Sequence, residues 1–160
     1  MSLAAMRLTI VSGGQTGVDR AALAWAIRRG VPHGGWCPRG RWSEAGAIPR
    51  RYSLRETPSS TVDERTLWNV RDSDATAILS IDAHLTGGTA QTARFCYELD
   101  RPLLFLSAAT WTPREAGASL RFFLHRHRVR VLNVAGPRAS EEPGAAKFTR
   151  AVLDHALGAA

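Results

Sequence analysis

Lysine is almost missing from this chain: Lys147 is the only one among 21 basic residues. A phosphate-binding P-loop needs a lysine directly after its last glycine, to reach the β and γ phosphates. Gly17 is followed instead by Val18 and Asp19, which excludes a Walker-type NTPase. The dinucleotide fingerprint G-x-G-x-x-G is also incomplete. Gly14 and Gly17 supply only its second half, and no acidic residue ends the next strand, so an ordinary NAD-binding domain is not expected. Two cysteines, Cys37 and Cys96, do not make a disulfide framework. There is no C-x-x-C, no H-E-x-x-H and no G-x-S-x-G, and the five histidines are dispersed, so neither a metal site nor a serine nucleophile is read. No apolar run approaches the ~20 residues of a membrane span. Met1 to Met6 lacks the charged start and apolar core of a signal peptide. These absences give the expectation of a cytoplasmic protein with no membrane contact.

What is present points to an anionic small molecule as partner. The 160 residues carry a net charge of +7, nearly all of the positive charge on arginine. Arginine grips phosphate through a planar fork of donors. The length fits one domain, with a core over about residues 8–157. Its first distinctive stretch is Ser12-Gly13-Gly14-Gln15-Thr16-Gly17-Val18-Asp19-Arg20, between the apolar run Leu8–Val11 and the helical pattern Ala21–Ile27. That reads as strand, glycine turn and helix, an arrangement that turns free amides and a positive dipole end toward an anion.

Strand and helix then alternate. A short second strand is expected near 31–35, followed by a long irregular segment from Trp36 to Ser60 that reads as a loop or lid. A helix from Thr61 to Arg71 has Thr61 and Glu64 at capping-box spacing. Asp74–Ser80 reads as a buried strand, and a second glycine turn, Leu85-Thr86-Gly87-Gly88-Thr89, opens a helix over 90–99. Strands at 102–106 and 129–134 and helices at 113–127 and 145–157 complete the pattern. This predicts a Rossmann-like α/β/α sandwich of three layers with a mostly parallel sheet, whose ligand sits outside the carboxyl ends of the strands.

The residues expected at that edge are Gly13, Gly14, Gln15, Thr16, Gly17 and Asp19 from the first turn, and Gly87, Gly88 and Thr89 from the second. Asp19 either caps its helix or binds a ribose hydroxyl. Arg65 and Asn69, four apart, share one helix face; turned to the site, Arg65 is a phosphate or sugar ligand, and turned away it pairs near Glu64 or meets solvent. Trp68 reads as core. Within Trp36-Cys37-Pro38-Arg39-Gly40-Arg41-Trp42, the tryptophans could stack on a planar ring, and Arg39 or Trp36 would cover the ligand. Cys37 near Arg39 has one condition for a reactive thiol, but no base accompanies it. His125-Arg126-His127 suits the end of a helix, and the Arg121–Arg130 stretch leaves contact with nucleic acid open.

The two turns, with Pro32-His33-Gly34-Gly35-Trp36-Cys37-Pro38, Trp68–Thr76 and Asn133-Val134-Ala135-Gly136-Pro137-Arg138, resemble the proteins named as molybdenum carriers. That family looks like a circularly permuted branch of the SLOG superfamily, a Rossmann-like group that also holds the LOG phosphoribohydrolases and the DNA-processing protein DprA. The resemblance implies a nucleotide or a molybdopterin-type cofactor as ligand and a homodimer or higher homo-oligomer. LOG enzymes carry P-G-G-x-G-T-x-x-E, whose glutamate acts in N-glycosidic cleavage. Thr86-Gly87-Gly88-Thr89-Ala90-Gln91-Thr92-Ala93-Arg94 keeps Gly-Gly-Thr without the glutamate, so holding a ligand is expected rather than cutting it. The alternatives are a LOG-like nucleoside-monophosphate N-glycosidase and, because Gly13–Asp19 resembles the S-G-x-x-x-G-[IV]-D turn of DprA, single-stranded nucleic acid binding.

Overall fold

A computed structural model describes residues 7–158 of the chain. Five strands form its central sheet: β1 (Thr9–Val11), β2 (His33–Gly34), β7 (Ala75–Ser80), β8 (Leu103–Ser107) and β9 (Val131–Ala135). Their order is β2-β1-β9-β7-β8 and every pairing is parallel. The expected α/β sandwich is borne out, with a sheet that is wholly rather than mostly parallel. Every residue of β7 is buried, as its unbroken Ala75–Leu79 run requires of a strand covered on both faces.

Right-handed crossovers set the layers. From β1 the chain passes through helix α1 (Val18–Arg29) outward to β2, and from β7 through α3 (Gly87–Glu98) outward the other way to β8. Helices α1, α4 (Pro113–Arg126) and α5 (Ala145–Leu157) pack together on one face, and α2 (Val62–Arg71) with α3 on the other. The main core joins Ile10, Trp25, Leu79, Leu132, Leu120 and Leu153 between these layers. Helix ends follow their chemistry. Gly30 closes α1 at φ 66°, and Thr112 and Glu115 form a reciprocal capping box under α4. Arg121 bonds the Ala156 and His155 carbonyls at the end of α5 at 2.9 and 3.1 Å, so one arginine of the 121–130 stretch is committed to the fold. No helix among the described residues is long and apolar enough to cross a membrane.

The segment after β2 departs from expectation. Residues 36–60 are not an irregular lid but an ordered appendage with four short strands: β3 (Trp36–Cys37), β4 (Trp42–Ser43), β5 (Gly46–Ala47) and β6 (Arg55–Glu56). β3 pairs with β6 in parallel, and β4 with β5 as a hairpin. Buried Arg41 is the fastener: its guanidinium donates to the carbonyls of Ile48, Pro49, Tyr52 and Leu54 at 2.8–3.2 Å. A second small core, Leu23, Cys37, Ile48, Tyr52 and Leu54, presses the appendage onto α1. Helix α1 is therefore buried on two sides, on the sheet and under the appendage.

Other expectations are corrected. Glu64 does not close a capping box with Thr61, because its carboxylate accepts from the Ser59 amide at 3.1 Å. Helix α3 starts at Gly87, three residues before the expected position, since Thr86 and Thr89 cap it. Trp68 is not core: it is half-buried, edge-on to Trp36 with ring centres 4.8 Å apart, and covered by Arg71.

Candidate functional site

The outward departures of α1 and α3 in opposite directions open a crevice at the carboxyl edge, where such sheets hold ligands. A cleft of about 330 Å³ lies there. Its walls are the turn after β1, the loop after β9, the start of α3 and one face of α2.

Of the residues expected at the site, Gly13, Gln15, Asp19, Arg65, Asn69, Gly88 and Thr89 line this cleft. Gly14, Thr16, Gly17, Gly87 and Arg39 do not. Gly14 turns its α-carbon toward Leu54 and Ile48. Gly17, at φ 81°, lies against the last loop, where an added Cβ would meet the Pro137 carbonyl oxygen at 2.4 Å. Thr16 donates its hydroxyl to Glu44 and accepts from the Ala139 amide at 3.1 Å. Arg39 is exposed and outside the cleft, and its amide bonds the Ser59 carbonyl at 3.0 Å. Trp36 cannot cover a ligand either, because Arg55 lies over its ring and its indole nitrogen donates to Asp72 at 2.9 Å.

Several amides of the first turn are already bonded. Gln15 N donates to Asp19 Oδ2, Thr16 N to the Gln15 side chain, Val18 N to Pro137 O and Arg20 N to Gln15 O. Asp19 thus closes the turn from inside the helix rather than capping it. Thr89 N and Ala90 N fold back on Thr86 O, which leaves Gly87 and Gly88 to present the first amides of α3.

The strongest positive group in the cleft is a side chain. Arg65 is only 9% exposed, and its Nη1 donates to the Gly13 carbonyl at 2.8 Å. Among the described residues no carboxylate lies within ion-pair distance of it. Burial lowers its pKa, opposed chiefly by the charge of Asp19. Asp19 is the counterpart: burial pushes its carboxyl up to about 6, with Arg65 and the Gln15 amide pulling it back. The fold spends Asn69 differently, as a strut whose amide bonds both the N–H and C=O of Trp36 at 2.8 and 2.9 Å.

Trp42, one of the two tryptophans read as a possible ring platform, stands at the mouth of the cleft with Val62, and Arg138 is in its wall. Val62, Gln91, Thr92 and Glu141 escaped the sequence reading. Arg138 is held to Glu141 at 2.7 Å. Glu44, from the hairpin, ties the rim together. Its carboxylate accepts from Thr16, from Ser140 N at 3.2 Å and from Ser140 Oγ at 2.5 Å, and its own amide donates to Gln15 Oε1 at 3.1 Å. These hydrogen bonds lower its pKa. Cys37 lies in the small core with its thiol pushed up by burial, the opposite of an activated nucleophile. Among the described residues no group of three or more His, Cys, Asp or Glu is placed to hold a metal ion.

Fold and cleft together define a Rossmann-like α/β protein with its pocket at the switch point of a parallel sheet. Residues 10–157 match the circularly permutated YpsA SLOG family, and the chain belongs to that family. It is also similar to the crystal structure, at 1.45 Å resolution, of a protein from Syntrophus aciditrophicus SB described as a putative molybdenum carrier protein. The two share 41% sequence identity with a TM-score of 0.91, over 93% of this chain and 94% of that one. No curated protein matches the chain. The resemblance read from the two glycine turns is borne out.

Proposed function

We propose that the protein holds an anionic small molecule, a phosphorylated nucleotide or a molybdopterin-type cofactor, in the cleft between β1, β9 and α3. The observation that carries this is Arg65, a buried guanidinium that faces the cleft with no carboxylate paired to it. A buried charge is costly unless partnered, and an anion would supply the partner. The open amides at the start of α3 add a helix dipole to the same wall. The description of the Syntrophus relative as a molybdenum carrier agrees with a carrier's role. The pterin itself would hold the molybdenum, so the protein need supply only contacts to the organic part. The superfamily resemblance adds a homodimer or higher homo-oligomer, and two cysteines outside any disulfide framework fit a reducing cytoplasm.

Native mass spectrometry of the purified protein, followed by denaturation and identification of the released compound, tests this reading. The expected result is a phosphorylated heterocycle on the wild type and none on Arg65→Met. A protein that carries only neutral compounds, or the same load on both forms, would overturn it.

One observation favours a second reading, N-glycosidic cleavage of a nucleoside monophosphate. Asp19 brings to the cleft a carboxyl that exchanges its proton near neutral pH, where the LOG-type glutamate is missing after Gly87-Gly88-Thr89. Free base released by the wild type but not by Asp19→Asn would establish it. No release from either leaves the carrier reading alone.

A further inference from the structure

Three tryptophans of this protein have an arginine laid over the ring: Trp25 under Arg29, Trp36 under Arg55 and Trp68 under Arg71. Trp42 does not. Among the described residues it has neither an arginine nor another aromatic ring against it, it is 50% exposed, and it borders the cleft. Its position is held firmly. In β4 the side chains alternate, so Trp42 points out while Ser43 is buried and bonded to Gly46 O at 2.6 Å and Arg20 at 2.9 Å. The residue before it is the fourfold-bonded Arg41, and two residues after it Glu44 clamps the hairpin to the turn after β1 and the loop after β9. A half-exposed indole carried on a well-bonded hairpin, at the mouth of the cleft that Arg65 lines, leaves apolar surface open at the site.

We propose that Trp42 is the stacking platform for a planar heteroaromatic ring, so that the cleft selects a phosphorylated heterocycle over a bare sugar phosphate. Val62, exposed at the same mouth, adds apolar surface for the ring edge. This rests on the anion-binding reading above. It adds a division of labour: Arg65 takes the charge and Trp42 reads the ring. Nucleotides and pterins share this chemistry, and their relative affinities tell the two sources apart.

Titration calorimetry with GMP, AMP, neopterin phosphate, ribose 5-phosphate and inorganic phosphate tests the proposal on wild type, Trp42→Ala, Trp42→Phe and Arg65→Met. The wild type is expected to bind at least one ring-bearing phosphate about tenfold or more tighter than ribose 5-phosphate, the scale of ring stacking on an aromatic side chain. Trp42→Ala should remove that margin and leave ribose 5-phosphate and inorganic phosphate within about twofold of wild type, while Trp42→Phe retains part of it. Arg65→Met should weaken all five. Equal wild-type affinity for ring-bearing and ringless phosphates, or a Trp42→Ala loss spread evenly over both, overturns the stacking proposal while the anion reading stands. An unchanged Arg65→Met, or no binding of any probe at millimolar concentration, overturns both. Half exposed, Trp42 can be replaced without unfolding the chain, and an unaltered circular-dichroism melt confirms that for each variant.

Discussion

The carbonyl oxygen of Gly13 accepts a 2.8 Å hydrogen bond from Arg65 Nη1, and nothing larger than hydrogen fits on the Gly13 α-carbon beneath it. A Cβ there would sit 2.4 Å from Nη1 and 2.9 Å from Cδ and Cζ. The first glycine of the turn therefore serves the site by making room for a guanidinium rather than by offering its own amide.

Gly13→Ala consequently displaces the far end of the Arg65 side chain and little else. We expect phosphate affinity to fall about tenfold or more, comparable to losing a charge-assisted contact, with the melting temperature within a few degrees of wild type. Titration calorimetry and a thermal melt on the same sample check both halves.

Two further glycines separate close approach from exposure. At Gly17 a Cβ would strike backbone, the Pro137 oxygen at 2.4 Å, and φ is 81°. Gly17→Ala should destabilise by about 2 kcal/mol or more. Gly88 has open space around its α-carbon and lies in the first turn of α3. Gly88→Ala should leave stability unchanged or raise it by about 0.5 kcal/mol. Denaturant melts of the two variants, side by side, measure the contrast.

The main layers were legible in the sequence because their signals are local. The mainly apolar, fully buried β7, the Gly30 stop of α1 and the Thr112–Glu115 cap of α4 each lie within a few residues of what they determine. The appendage was not legible. It rests on one arginine reaching four carbonyls 7 to 13 residues away, which leaves no periodic trace. The site divided along the same line. Asp19, Arg65 and the Gly88-Thr89 pair sit on helices whose facing follows from the helix period, and Gly13 lies two residues past the end of β1. Arg39 and Trp42 are three residues apart on the appendage, with equally suitable chemistry, and only its fold decides that Trp42 reaches the cleft and Arg39 does not.

Arg41→Met should therefore act on the appendage first. Four carbonyls lose a charged donor, three of them in fully buried bonds. A loss of about 3 kcal/mol or more is expected. Limited proteolysis of this variant should cut first within residues 36–60. A first cut elsewhere contradicts the fastening role.

Asp19 makes anion affinity depend on pH. Its carboxyl, pushed up to about 6, is charged at pH 7.5 and neutral at pH 5. Protonation removes a negative charge beside Arg65, so the anion binds more tightly as pH falls through 6. Sulfate, dianionic across this range, is the suitable probe. Its affinity should rise several-fold from pH 7.5 to pH 5 in the wild type and stay level in Asp19→Asn. Parallel profiles for the two proteins would remove Asp19 from the site.

The most direct measurement of the central claim is a crystal structure with tungstate, an oxyanion located by its anomalous signal. The expected position is within hydrogen-bonding distance of the Arg65 guanidinium, between the Gly13 turn and the Gly88 amide. Tungstate found only on surface arginines such as Arg126 and Arg128, with the Arg65 cleft empty at saturating concentration, would contradict it.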